Sequence, residues 1–380
     1  MKKNWSKFVD LGSMGMANGI SYFIGGIFWL YLASVLQSEG YGELSYFFAA
    51  ANLAAVFSNF GSNNTITVFT SKTEKIQASL YLIPIIISIT SSVILFFILE
   101  NPFVGLYVIG SVIYSFWISS LLGLKNYKTF SITVIIEKVS EVILALSLYA
   151  IMGINGVILG LSLSTLMFVI PLVTNRKSWD INKAIVKNTL NFSLHSYALN
   201  LSRRISLSAD KIIIMPLLGL SIIGNYQLAV QALLLLNIIP MTVYQYILPR
   251  DTIGKNTAKI KKLTISSSIV LTILGEIFVP DLLGSFFPEF ITSTEIIPIL
   301  IPAIIPMSIT LMFTAKLLAN EKSNQILSSS IIFAGSHIIG IFILTEYFGI
   351  AGTAIALLLA SIIQSIFLFF MNYRIFKTFL

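Results

Sequence analysis

Hydrophobic and polar positions along this chain fall into long blocks, not into the short alternation of a half-buried strand. Apolar runs recur about twelve times, each long enough for the roughly 20 residues that a helix needs to cross a bilayer. They lie near 11–36, 41–70, 76–99, 102–124, 129–152 and 154–174, and then near 192–217, 221–248, 263–286, 291–319, 324–347 and 350–371. Runs of Ile, Leu and Phe this long predict helices, because lipid leaves backbone N–H and C=O groups no partner except each other. The ~10-residue alternating segments of a membrane β-barrel do not fit this pattern.

The polar breaks between the runs carry an ordering of their own. Lys and Arg gather at every second break: Lys72 and Lys75 after the second run, Lys125 and Lys128 after the fourth, Lys316 and Lys322 after the tenth. The breaks after the sixth and eighth runs and both chain ends are basic as well, so that 20 of the 24 basic residues sit on one side. The intervening breaks at 37–40, 100–101, 153, 219–220, 288–290 and 348–349 hold none. Cationic loops stay in the cytoplasm, which predicts both termini there. The lysines ahead of the first run look like the start of a signal peptide, but the run is too long and the alternation counts it as a span. The longest polar stretch, 175–191, reads as a cytoplasmic connector with room for an interfacial helix carrying Trp179, Ile181 and Ile185. It separates an N-terminal six-helix lobe, 1–174, from a C-terminal six-helix lobe, 192–380.

Composition agrees and removes other classes. Hydrophobic residues make up 56% of the 380 and charged ones 11%, against about 25% charged in soluble domains; the mean hydropathy is +0.89. A net charge of +8 would suggest nucleic acid in a soluble protein, but here the loops account for it and no nucleic-acid partner is expected. There is no cysteine, hence no disulfide or thiolate metal site. His195 and His337 stand too far apart in sequence for metal-ligand spacing, and each reads as a structural histidine, with a proton relay as the alternative. No metal or cofactor is expected. No Gly-rich phosphate loop ending in Lys-Ser/Thr appears, which argues against ATP-driven transport by this chain alone.

The two halves repeat each other. Leu36-Gln-Ser-Glu-Gly-Tyr-Gly42 follows the first run and Leu218-Gly-Leu-Ser-Ile-Ile-Gly224 the seventh, 182 residues apart. Gly153-Ile-Asn-Gly156 opens the sixth run and Gly349-Ile-Ala-Gly352 the twelfth, 196 apart. Asn126-Tyr-Lys128 after the fourth is matched to Asn320-Glu-Lys322 after the tenth, 194 apart. Six spans per half give both halves one orientation, related by an axis along the membrane normal, with a substrate path between them near the midplane.

With Gly40-Tyr-Gly-Glu-Leu44 after the first run, and Asp210-Lys-Ile-Ile-Ile-Met-Pro-Leu-Leu-Gly219 leading into Gly224-Asn-Tyr226, the chain resembles the Wzx-type polysaccharide-biosynthesis flippases. These belong to the multidrug/oligosaccharidyl-lipid/polysaccharide exporter superfamily. It departs from that pattern in its short loops and in Leu36-Gln37 where the family has Leu-Gly. The resemblance implies an all-α integral membrane fold of two six-helix lobes around a central cavity. It implies a polyprenyl-diphosphate-linked oligosaccharide as substrate, flipped across the cytoplasmic membrane among membrane lipids and glycan-assembly enzymes.

Four basic residues fall inside apolar runs: Lys138, Arg203, Arg204 and Lys211. Each costs about 2.5–3.5 kcal/mol at a helix centre unless paired or hydrated, so intramembrane charge is a functional hypothesis by default. Lys138 lies about 14 Å and the arginines about 17 Å from the basic ends of their spans at 1.5 Å per residue, a comparable depth. Arginine grips phosphate through paired hydrogen bonds. These four are therefore the expected headgroup site. Glu137, Glu141 and Asp210 are their expected charge partners, or the site of a coupling proton or sodium ion. Seven residues are nearly two helical turns, which places Arg203 and Asp210 on one face, and Arg204 with Lys211. Mutual neutralisation within the packing is the alternative, although four cations against three acids leave one over. Glu276 is a further acid within a span. Pro298, Pro302 and Pro306 share one stripe of the tenth run and predict a bend, either fixed or a gating hinge.

Three functions compete. A lipid-linked oligosaccharide flippase suits the net-basic set. A cation-coupled multidrug antiporter of the same architecture would favour an acid-lined cavity. A membrane-embedded glycosyltransferase or polymerase would need a catalytic cluster on a sizeable loop, which the short outer breaks do not offer.

Overall fold

The computed structural model describes residues 2–73, 78–174, 189, 193, 197, 208–252, 254, 256–320 and 322–371. These are helical almost throughout: α1 Lys2–Asn59, α2 Ser62–Thr73, α3 Leu82–Leu99, α4 Pro102–Gly123, α5 Tyr127–Met152, α6 Ile154–Leu166 and α7 Val169–Thr174. The second half continues with a helix over 208–218 (α8), then α9 Leu220–Leu236, α10 Ile238–Thr252, α11 Ala258–Phe286, α12 Ile291–Leu300, α13 Ile304–Ala319 and α14 Ser323–Met371.

Among the described residues seven helices are long and apolar enough to cross a membrane, or eight if α9 and α10, bent by 44°, form one broken span. Two of the seven are 46 and 49 residues long, about 70 Å at 1.5 Å per residue and twice the hydrocarbon core. Both are interrupted where the sequence places a break: α1 at Gln37, with φ 58° and ψ −178°, and α14 at Gly349, with φ 56° and ψ −136°. α5 is not among the seven despite its 26 residues, because Glu137, Lys138 and Glu141 sit in its middle. The chain is an all-α, multi-pass membrane protein.

The described fold divides into two compact units. The first holds Met1–Gly25 and Phe47–Arg204, the second Gly26–Tyr46 and Ile205–Leu380. The middle of α1, with its break at Gln37, therefore clusters with the second unit. In the first unit α4 is the central element, packed by α2, α3 and α6. Val104, Val108, Val112 and Phe116, one stripe at four-residue spacing, are fully buried, and Tyr81 stacks on Phe116 at 4.5 Å. In the second unit α13 takes that role against α10, α11 and α14, with Met312, Ala315 and Leu317 fully buried.

The duplication is visible in the backbone. Gly153 has φ 60° and ψ −139°, within a few degrees of Gly349. A Cβ at Gly156 would collide with the Leu148 carbonyl, and one at Gly352 with the Leu344 carbonyl, all at the offset of 196. The third pair needs a correction. Asn126 N–H donates to the Leu121 carbonyl and Lys322 N–H to that of Leu317, so Asn126 corresponds to Lys322, at 196 and not 194. The matching Asn-x-Lys letters are two residues out of register, because the hydrogen bond closing the helix end, and not the letter, defines the turn.

The helix type changes locally at the middle proline of the stripe. A single 3-10 turn over Ile301–Ala303 separates α12 from α13, where Pro302 cannot donate to the preceding turn. Ile301, Ala303 and Ile304 around it are fully buried.

Candidate functional site

The intramembrane charges of the first unit lie on one turn of α5. Residues three and four apart are neighbours on a helix surface, so Glu137, Lys138 and Glu141 converge. Lys138 Nζ donates to the Glu141 carboxylate. Glu137 and Glu141 are buried at 7% and 6% exposure, and the aliphatic stem of Lys138 runs past Gly25 of α1, where a Cβ would stand 3.6 Å from its Cδ. Tyr107 and Tyr114 of α4 lie within electrostatic reach of both carboxylates. With both acids ionised, two carboxylates and one ammonium leave this trio with one negative charge in excess.

In the second unit Asp210 and Lys211 are buried at 4% and 7% exposure. Lys211 Nζ donates to Asp210 Oδ1 at 3.1 Å and Oδ2 at 3.3 Å, and the Lys211 N–H donates to the same Oδ1 at 2.8 Å. The ammonium also stands 5.9 Å from the centre of the Tyr226 ring, a position favoured by the negative face of the π system. Lys211, its neighbour in sequence, is thus one partner of Asp210, and the expected alignment of Asp210 with Arg203 is not covered by the described residues. Arg203, Arg204 and His195 lie outside the described residues.

The remaining candidates separate from these groups. Glu276 is on the exposed face of α11, between the exposed Ile273 and Ile277. His337 is buried, its ring 5.6 Å from that of Phe333. One charged cluster escaped the sequence reading: Asp251 accepts from Thr257 Oγ1 and from Lys261 Nζ, and both charged side chains are almost fully buried. Lys261 looks like one more loop cation in the sequence. The signal was Asp251, a lone acid amid five cations.

Residues 10–250 match the Polysaccharide biosynthesis protein family. An uncharacterized membrane protein of Methanocaldococcus jannaschii is 27% identical, over 93% of this chain and 94% of the relative. Among solved structures, the lipid II flippase MurJ in an inward closed conformation superposes with a TM-score of 0.77 at 15% identity, covering 96% of this chain and 88% of MurJ. An inward-facing multidrug resistance MATE family transporter of the MOP superfamily gives 0.73 at 14% identity, covering 98% of both chains. The fold is that of the MOP superfamily.

Proposed function

The chain belongs to the Polysaccharide biosynthesis protein family, and from that premise we propose that it is a transporter flipping a polyprenyl-diphosphate-linked oligosaccharide across the cytoplasmic membrane by alternating access. The observation that carries this reading is the placement of Lys138, half-buried, and Lys211, buried, within apolar helices of a chain with this family and fold. Twelve crossings with both termini cytoplasmic suit the helix order. α1 and α14 supply two each, and α3, α4, α5, α6–α7, α8, α9–α10, α11 and α12–α13 supply the rest, α8 being the described end of the seventh. The lobes are then 1–174 and 192–380, joined by 175–191.

Lys138, Lys211, Arg203 and Arg204 hold the diphosphate and the adjoining sugar, the ammonium and guanidinium groups replacing water around the phosphates. Glu137, Glu141 and Asp210 hold the lysines while the site is empty. The negative charge left over on α5 is met by a proton or a sodium ion. Its arrival weakens the hold of Glu141 on Lys138 and frees the ammonium for phosphate, which couples cargo to the ion gradient. The same surplus favours the second reading, a cation-coupled multidrug antiporter, since an acid-rich site in the first unit also suits a cationic drug.

Reconstituted vesicles distinguish the two. Labelled polyprenyl-diphosphate oligosaccharide is expected to cross only in vesicles that contain the protein. The double variant R203Q/R204Q is expected to lose flipping at unchanged expression. Wild-type flipping by that variant would sink the headgroup assignment. Cationic dye efflux without glycolipid movement would establish the antiporter instead.

A further inference from the structure

The turn between α10 and α11, within the second unit, sorts its charges by direction. Asp251 and Lys261 turn inward. One carboxylate oxygen of Asp251 accepts from Lys261 Nζ and the other from Thr257 Oγ1, and both charged side chains are buried. Lys259 and Lys262 share the first turn of α11 with Lys261 but are exposed. Arg250, at the end of α10, stands 3.4 Å from the centre of the exposed Tyr246 ring. Lys316, half-buried at the end of α13, is within electrostatic reach of Lys261. Among the described residues, the ends of these three helices therefore hold five cations and one acid, and that acid is engaged by Lys261.

The direction of Lys259 and Lys262 follows from α11 itself. Its inward stripe runs through Lys261, Thr264, Ser268 and Thr272, at the spacing of one helix face. Its outward stripe starts with Lys259 and Lys262 and continues through the exposed Leu263, Ile269, Ile273 and Ile277. In a multi-pass membrane protein an exposed apolar stripe of this kind faces lipid. The change from lysine to leucine at 262–263 then marks where headgroups give way to hydrocarbon. Both outward lysines stand at headgroup depth on the lipid side of the helix.

Their place on α11 is unfavourable for the helix alone. A helix N-terminus carries partial positive charge, so cations in its first turn are destabilising. α11 has no acidic residue in that turn, and its N-cap residue Thr257 makes no capping bond, its hydroxyl being given to Asp251. An anion held by the outward lysines removes the mismatch.

We propose that Lys259 and Lys262, in the field of Arg250 and Lys316, bind the headgroup of an anionic phospholipid of the surrounding bilayer, whose chains run along Ile269 and Ile273. Basic residues beside a bilayer attract anionic lipid by charge complementarity. The inference rests on the membrane placement of the chain and not on the proposed cargo. The chain has no native cysteine, so single labels report single positions. Bimane on I269C, in proteoliposomes of the full chain, is quenched by lipids with brominated chains. At equal low mole fraction, brominated phosphatidylglycerol is expected to quench it more than brominated phosphatidylcholine, by up to about fivefold for each lysine engaged. That excess is expected to shrink as salt rises. Bimane on I277C, further along the same face, is expected to show no excess. K259E/K262E places acids where the helix dipole favours them, so it is expected to keep its unfolding temperature in detergent while losing the excess at position 269. Equal quenching by the two lipids at 269, an equal excess at 277, or an excess that survives K259E/K262E overturns the proposal. Loss of the excess to traces of polyprenyl diphosphate also overturns it, by assigning the lysines to the cargo.

Discussion

A lysine ammonium among apolar side chains survives only beside its own counter-charge, and this sets what substitutions on α5 should do. Truncating one partner of a buried ion pair costs about 3–5 kcal/mol, because the other charge is left without compensation. Replacing both partners costs far less. E141Q and K138M should each lower the unfolding temperature in detergent, and K138M/E141Q should be milder than the sum of the two, with a coupling of about 1–3 kcal/mol. Strict additivity would show that the Lys138–Glu141 bond contributes nothing. Gln37 predicts a change of opposite sign. Q37G removes a side chain from a region that costs of order 1–3 kcal/mol, so it should raise the unfolding temperature, and a fall would mean the backbone there is unstrained. The charges of this site were legible in the sequence because charge is rare inside apolar runs. The way Lys211 meets Asp210 was not. Spacing identifies residues that share a helix face, but Lys211 folds its long stem back onto its neighbour's carboxylate. Asp251 and Lys261 meet across the turn between α10 and α11, which no helical period can reveal.

Helix ends in this molecule are fixed by a few polar side chains and glycines, and those positions could be read from the sequence as breaks. The Asn101 carboxamide accepts from Phe103 N–H at 3.0 Å and donates to Asn155 Oδ1 at 2.7 Å. It therefore caps α4 and ties it to the start of α6. N101A should cost about 1–2 kcal/mol, the upper range for a lost N-cap, measured by thermal unfolding; a neutral outcome would place the tie outside the folded core. Glycines give a sharper contrast. G352A drives a methyl into the Leu344 carbonyl, whereas G284A on α11 meets nothing within 4 Å. Overpacking costs about 1–3 kcal/mol, and a helical Gly→Ala with free space gains about 0.4–1 kcal/mol, so the two variants should shift stability in opposite directions. What the sequence could not give at this scale was register. Asn-x-Lys recurs at 194 residues, yet the closing hydrogen bonds recur at 196, since turn geometry constrains the backbone more tightly than it constrains the side chain. Nor could it show that α1 divides between two compact units at Gly25 and Gly26, for the apolar run there is continuous.

For the whole molecule, the distribution of charge across the breaks makes a claim that one set of measurements can test. Orientation follows from where cations fall, and a single miscounted span would reverse every break after it. Lys125 and Lys322 are exposed at corresponding breaks of the two halves, and Glu100 and Glu289 are exposed at the intervening breaks. In a chain free of cysteine, single variants K125C, K322C, E100C and E289C can each be reacted in intact cells with a maleimide that does not cross the membrane. E100C and E289C should label before lysis, and K125C and K322C only after it. The comparison of K125C with K322C is the stringent one, because it requires an even number of crossings between them, as α5 to α13 supply in the proposed plan. Labelling of K125C and K322C from opposite sides would mean that a span such as α5, with its buried charges, or the bent pair α9 and α10 does not cross. That outcome would remove the parallel orientation of the two halves, and with it the physical basis for a substrate path between two equivalent lobes.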